Sequence, residues 1–167
     1  PLADFQRFVA QVVAAINRSV AGLPRERLRL HVCWGNYDGP HHLDVALADI
    51  LPLLVEAEVG WLVLPFANPR HAHEYRLLDR LEGGAGSPAM GIVAGVVETT
   101  HNYVEHPEVV ADRLRRVLDV VGDASRVQAG RVLTRSAPTT PTQSAPTTRK
   151  RLFPRMRTQV SPTTRTR

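Results

Sequence analysis

Four short apolar runs, LRLHVCW from residue 28, WLVLPF from 61, GIVAGVV from 91 and RVQAG from 126, recur at intervals of 33, 30 and 35 residues. Each is too short for a helix, is bounded by Gly, Pro or charged residues, and is followed or preceded by a longer stretch of helical period. That spacing is the repeat of consecutive parallel βα units. The fold class expected is therefore α/β, either an open parallel sheet or part of a β/α barrel.

The stretches between the runs carry helix signals. Phe5, Phe8, Val9, Val12, Val13 and Ile16 form an apolar stripe ended by Gly22 and Pro24. Asp44 is placed to cap a helix carrying Leu47, Ile50, Leu51 and Leu54, which Pro52 is expected to kink. Asn68 and Pro69 suit the start of a helix running to Leu81, and Pro107 opens another that Gly122 ends.

Charge divides the chain. Residues 131–167 hold nine of the 21 Lys and Arg residues and none of the 16 Asp and Glu, so the front is net −4 and the tail +9. The tail is rich in Thr, Pro and Arg and has no apolar period, so disorder is expected over 131–167, with 1–130 as the folded domain. Its abrupt change of composition after Gly130 also fits an out-of-frame translation. Without aromatic platforms, such a tail offers only non-specific binding to nucleic acid. No apolar stretch approaches the roughly 20 residues of a membrane span, no secretory signal opens the chain, and one cysteine makes no internal disulfide. A cytoplasmic protein is expected.

In parallel α/β folds, ligands gather beyond the carboxyl ends of the strands. This selects His31 and Cys33, then Asn68 and His71, then Glu98 and His101. Strand side chains alternate, so His31 and Cys33 share a face. An imidazole and a thiolate so placed are half of a tetrahedral zinc site. The same pair also reads as a buried thiol beside a core histidine, or as a Cys/His nucleophile. Asn68 and Arg70 are candidates to face a ligand, and Glu98 and His101 to move a proton. His41 and His42 read as loop or capping residues beside Asp44.

Taken in order, HVCWGNYDGPHH, FANPRHAHEY, GVVETTHNYVEHPEVVADRL and RVQAG resemble the C-terminal catalytic barrel of cobalamin-independent methionine synthase. The short homologues of that family, including the epoxyalkane:coenzyme M transferase-like branch, are similar in the same way. The resemblance spans residues 1–130 almost continuously. It implies a TIM-type β/α barrel, of which this chain carries about half of the eight units, with an open edge prone to self-association. It also implies a Zn2+ ion that activates a homocysteine-like thiol to take a methyl group from a methyltetrahydrofolate. The implied ligands are His31 and Cys33; Asn68 and Arg70 are the implied substrate-binding residues, and His101 with Glu98 the implied catalytic ones.

The chain departs from the family pattern at two places, and both concern the metal. Pro65 stands where the family has a liganding Glu, just before ANPRH. Past RVQAG, where the family has a D-C-G motif, the chain reads RVLTRSAPTT and contains no second cysteine.

Overall fold

A computed structural model of the chain describes residues 1–35, 39–81, 89–131 and 157–162. Helix α1 covers Leu2–Val20, β1 Leu28–Cys33, α2 Leu47–Leu54, β2 Trp61–Pro65, β3 Gly91–Val97, α3 Pro107–Val121 and β4 Val127–Arg131. The strands thus lie within a residue or so of the apolar runs. They form one sheet in the order β4-β3-β2-β1-β5, where β5 is Arg157–Pro162.

The four runs are parallel and each lies beside the next in the chain, with Arg29 opposite Trp61, Trp61 opposite Gly91 and Ile92 opposite Val127. Such neighbours require a crossover between them, and the helical segments supply it. Leu28, Leu30, Val32, Leu62, Leu64, Ile92, Ala94 and Val96 make up one face of the sheet. They are buried in a single core with Phe5, Val9 and Val13 of α1, Ile50, Leu51 and Leu54 of α2, and Val117 of α3. Burying a Leu, Ile or Val of this kind contributes roughly 1.5–3 kcal/mol, so this face sets the register of every strand.

Polar contacts fix the helices to the strand starts. Asn17 on α1 donates through Nδ2 to the Glu56 carbonyl at 3.0 Å and accepts from the Glu58 amide at 2.8 Å. The Arg25 carbonyl accepts from the Gly60 amide at 2.8 Å, while Arg25 Nε donates to the Val59 carbonyl. Gly91 leaves room for the indole of Trp61, which a Cβ there would overlap at 2.4 Å. At the end of α3, Gly122 takes φ +70°, the left-handed cap that glycine adopts without strain.

Three expectations are corrected here. Asp44 caps no helix: α2 begins at Leu47 with Ala46 at its N-cap and no side-chain cap bond. The segment after Pro69 is helical to Leu81 as expected, but it is a 3₁₀ helix that begins only at Ala72; Asn68 Oδ1 accepts from the Arg70 amide at 2.9 Å in the turn ahead of it. Third, the tail is not wholly without structure. Arg157–Pro162 runs antiparallel along all of β1, from Leu28 opposite Pro162 to Cys33 opposite Arg157. The outer edge of β1 presents unpaired N–H and C=O groups, and a segment with β-branched Thr158 and Val160 satisfies them. The disorder expected for 132–156 and 163–167 lies outside the described residues. Among those described, no strand pairs with the outer side of β4. No helix is long and apolar enough to cross a membrane.

Candidate functional site

The second face of the sheet carries Arg29, His31 and Cys33 on β1, Trp61, Val63 and Pro65 on β2, and Val93, Gly95 and Val97 on β3. Beyond the carboxyl ends of these strands lies a small cleft, lined among others by Cys33, Trp34, Pro65, Asn68, Glu98 and Thr100. Three chain segments, each the residues that end a strand, meet in this one place.

Cys33 ends β1 and is 3% exposed. Two residues earlier, His31 pairs with Val63 and is half-buried, and its Nε2 is buried with no hydrogen-bond partner. Burial pushes its pKa below the ordinary histidine value, which keeps the ring neutral. A buried imidazole nitrogen without a partner costs free energy unless something occupies its lone pair. Pro65 lies opposite Gly95 at the end of β2, in the same cleft as Cys33.

Glu98 comes directly after β3. Its Oε1 accepts from the Thr99 amide, the Thr100 amide and the Thr100 hydroxyl, each at 2.7 Å, while Oε2 is buried without a partner. Burial works to raise its pKa. The Thr100 hydroxyl, the Thr100 and Thr99 amides and the neighbouring charge of His101 outweigh it and hold the carboxyl below its usual range. The loop that carries it is anchored from below. Glu105 Oε2 accepts from the Glu98 amide at 2.7 Å, and Glu105 Oε1 accepts from Arg113 of α3 at 2.6 Å.

Asn68 lines the cleft, but Arg70 is exposed and lies outside that lining. His101 is likewise exposed, stacked on Tyr103 with ring centroids 5.2 Å apart, and takes no part in the lining. The structure therefore brings together Cys33, Asn68 and Glu98, with His31 below them on the same strand face. It leaves Arg70 and His101 at the periphery.

Trp34, Thr99 and Thr100 are cleft residues that residue type alone does not reveal. Trp34 is fixed through Nε1, which donates to the Val45 carbonyl at 2.7 Å, and its indole stacks on His71 at 3.8 Å. His71 is 2% exposed and belongs to a cluster with His41, Asp44 and Glu74. His41, Asp44 and His71 place one ligand atom each within 4.8 Å of one another, so these three residues could hold a metal ion. Two imidazoles and a carboxylate in this arrangement are donors for a transition metal. Comparison of the chain with family models, with characterised proteins and with solved structures finds no match.

Proposed function

We propose that the chain is part of a zinc-dependent methyltransferase of the cobalamin-independent methionine synthase type, acting on homocysteine and 5-methyltetrahydrofolate. In this reading the parallel sheet is a portion of a β/α barrel wall, and its second face is the barrel interior. The observation that carries the reading is the cleft itself. Cys33, Asn68 and Glu98, one residue from each of three strand ends, line it together, and His31 shares the strand face of Cys33.

The unpartnered Nε2 of His31 bears on whether these donors suit the metal. A neutral imidazole with a buried, unpaired lone pair beside a buried thiol fits the N and S donors that zinc takes. These are two positions of four, and Pro65 leaves the third of the family set without a side-chain ligand. When bound, zinc supplies a lowered thiol pKa, so that the substrate sulfur is a nucleophile at neutral pH.

The protein's own groups bind and orient. The reaction forms the sulfur–carbon bond as the bond from N5 of the folate to the methyl carbon breaks. The thiol loses its proton, and the electron pair left on nitrogen takes one up. Glu98, held ionised by three donors, offers a fixed negative charge in the cleft that suits the ammonium group of an amino-acid thiol. Asn68, whose oxygen already accepts from the Arg70 amide, keeps its NH2 group to donate. Arg70 and His101 stay at the mouth in this reading, His101 near enough to Glu98 to favour its charge. A cytoplasmic location and small-molecule partners belong to the same proposal.

A second reading, favoured by Pro65, is a copy that keeps the fold without the activity. The test is methionine formation by the zinc-loaded chain from homocysteine and 5-methyltetrahydrofolate, compared with Cys33→Ser. Turnover abolished by the substitution supports the first reading. No methionine above the level of zinc alone overturns it in favour of the second.

A further inference from the structure

We infer that His41, Asp44 and His71 form a second site, for a divalent transition-metal ion of the zinc class, which ties the segment after β1 to the segment after β2. This inference goes beyond the proposed methyl transfer and does not rest on it, because none of its donors belongs to the His31 and Cys33 pair. Asp44 Oδ2 lies 2.5 Å from His41 Nδ1 and 3.0 Å from His71 Nε2. The side chains are 8%, 11% and 3% exposed for His41, Asp44 and His71, which leaves the donors shielded from bulk water.

As hydrogen bonds, these two contacts need a proton on His41 Nδ1 and on His71 Nε2, and a bound ion would take the place of both; the far side of His71 has the build of a metal centre. His71 Nδ1 is 2.7 Å from Glu74 Oε2, and Glu74 is itself 4% exposed. The other oxygen of Glu74 is in turn held by the Leu47 amide at the start of α2, also at 2.7 Å. A carboxylate that holds the Nδ1 proton of a buried histidine fixes the tautomer whose Nε2 lone pair is available to a metal, and this is the usual outer partner of a liganding imidazole. Trp34, stacked on the ring at 3.8 Å, fixes its plane. Two nitrogens and one carboxylate oxygen select an ion of the Zn2+, Fe2+ or Ni2+ type over Mg2+ or Ca2+, which take oxygen ligands. Three protein donors leave a further position for water.

The site has a structural consequence for the cleft. Trp34 lines the cleft and also stacks on His71, so an ion that immobilises His71 immobilises one wall of the cleft.

The test uses the full chain carrying both His31→Ala and Cys33→Ala, dialysed against Zn2+ and assayed for bound metal. The expected result is about one zinc per chain, with affinity falling at least tenfold, the scale of a disturbed metal site, on adding His41→Ala or Asp44→Asn. Zinc absent from the double variant, or bound with no dependence on His41 and Asp44, overturns the inference. A second measurement needs no substitution. Ring-nitrogen NMR of the wild-type chain during Zn2+ addition is expected to report binding through Nδ1 at His41 and through Nε2 at His71. Ring signals of both histidines indifferent to Zn2+ overturn the inference as well.

Discussion

Pro65 lies opposite Gly95 across the β2–β3 pairing, in the cleft that Cys33 also lines. A side chain that reaches into the cleft from position 65 meets no Cβ on its β3 partner. The pyrrolidine ring fills that place with a group that ligates nothing.

Pro65→Glu is therefore expected to add a carboxylate beside Cys33 and to raise zinc affinity at the strand-end site by about tenfold or more. Isothermal titration of Zn2+ into the zinc-free variant and wild type measures it. Unchanged affinity would mean that position 65 does not face the ion.

His31 gives the opposite trade. Its Nε2 is buried without a hydrogen-bond partner, which without a bound ion is a cost that an apolar side chain would not carry. His31→Leu is expected to raise zinc-free stability by about 1 kcal/mol while abolishing zinc binding at Cys33. Urea melts of both proteins in chelator check the first half, and a lower midpoint for the variant would show that the imidazole is already satisfied.

Glu98 carries a pH dependence. Its folded pKa is below the usual value, so the stability this gives is fully present above about pH 4.3, the unfolded glutamate value, and is lost as pH falls through the lower folded value. Thr100→Val removes the hydroxyl donor and should move the folded value back toward 4.3, about the unfolded one. Its expected cost is about 1.5 kcal/mol near neutrality, the scale of a hydrogen bond to a charged group, and less at acid pH. Melts across that range would contradict this if wild type and variant ran parallel.

Glu74 is buried between the Leu47 amide and His71. Glu74→Ala leaves a buried N–H and an imidazole without their acceptor, and a loss of about 2–3 kcal/mol is expected in denaturant unfolding. Less than about half of this would show that water takes over both bonds.

The strands were legible because each run buries one face on a core of Leu, Ile and Val, and that demand is written into residues such as Leu30, Leu62 and Ile92. Cys33, Asn68 and Glu98 were legible as strand-end residues for the same reason, since a strand held in register by its core face also holds the residues at its carboxyl end. The partners of Asp44 were not. His41 is three residues away and reads as a local loop contact, whereas His71 lies 27 residues on and meets Asp44 only because β1 and β2 are neighbours. The pair of segments GPHHLD and RHAHE, each just past a strand, was the available signal. The strand at Arg157–Pro162 was hidden because its pairing is set by the open edge of β1 rather than by an apolar pattern of its own.

The most direct test of the central claim is the electronic spectrum of the Co2+-substituted chain. If Cys33 and His31 hold the ion that activates the thiol, a thiolate-to-cobalt charge-transfer band appears, is absent in Cys33→Ser, and grows when homocysteine supplies a second thiolate. Cobalt bound without that band, or a band unchanged by homocysteine, would contradict a thiol-activating site at the end of β1.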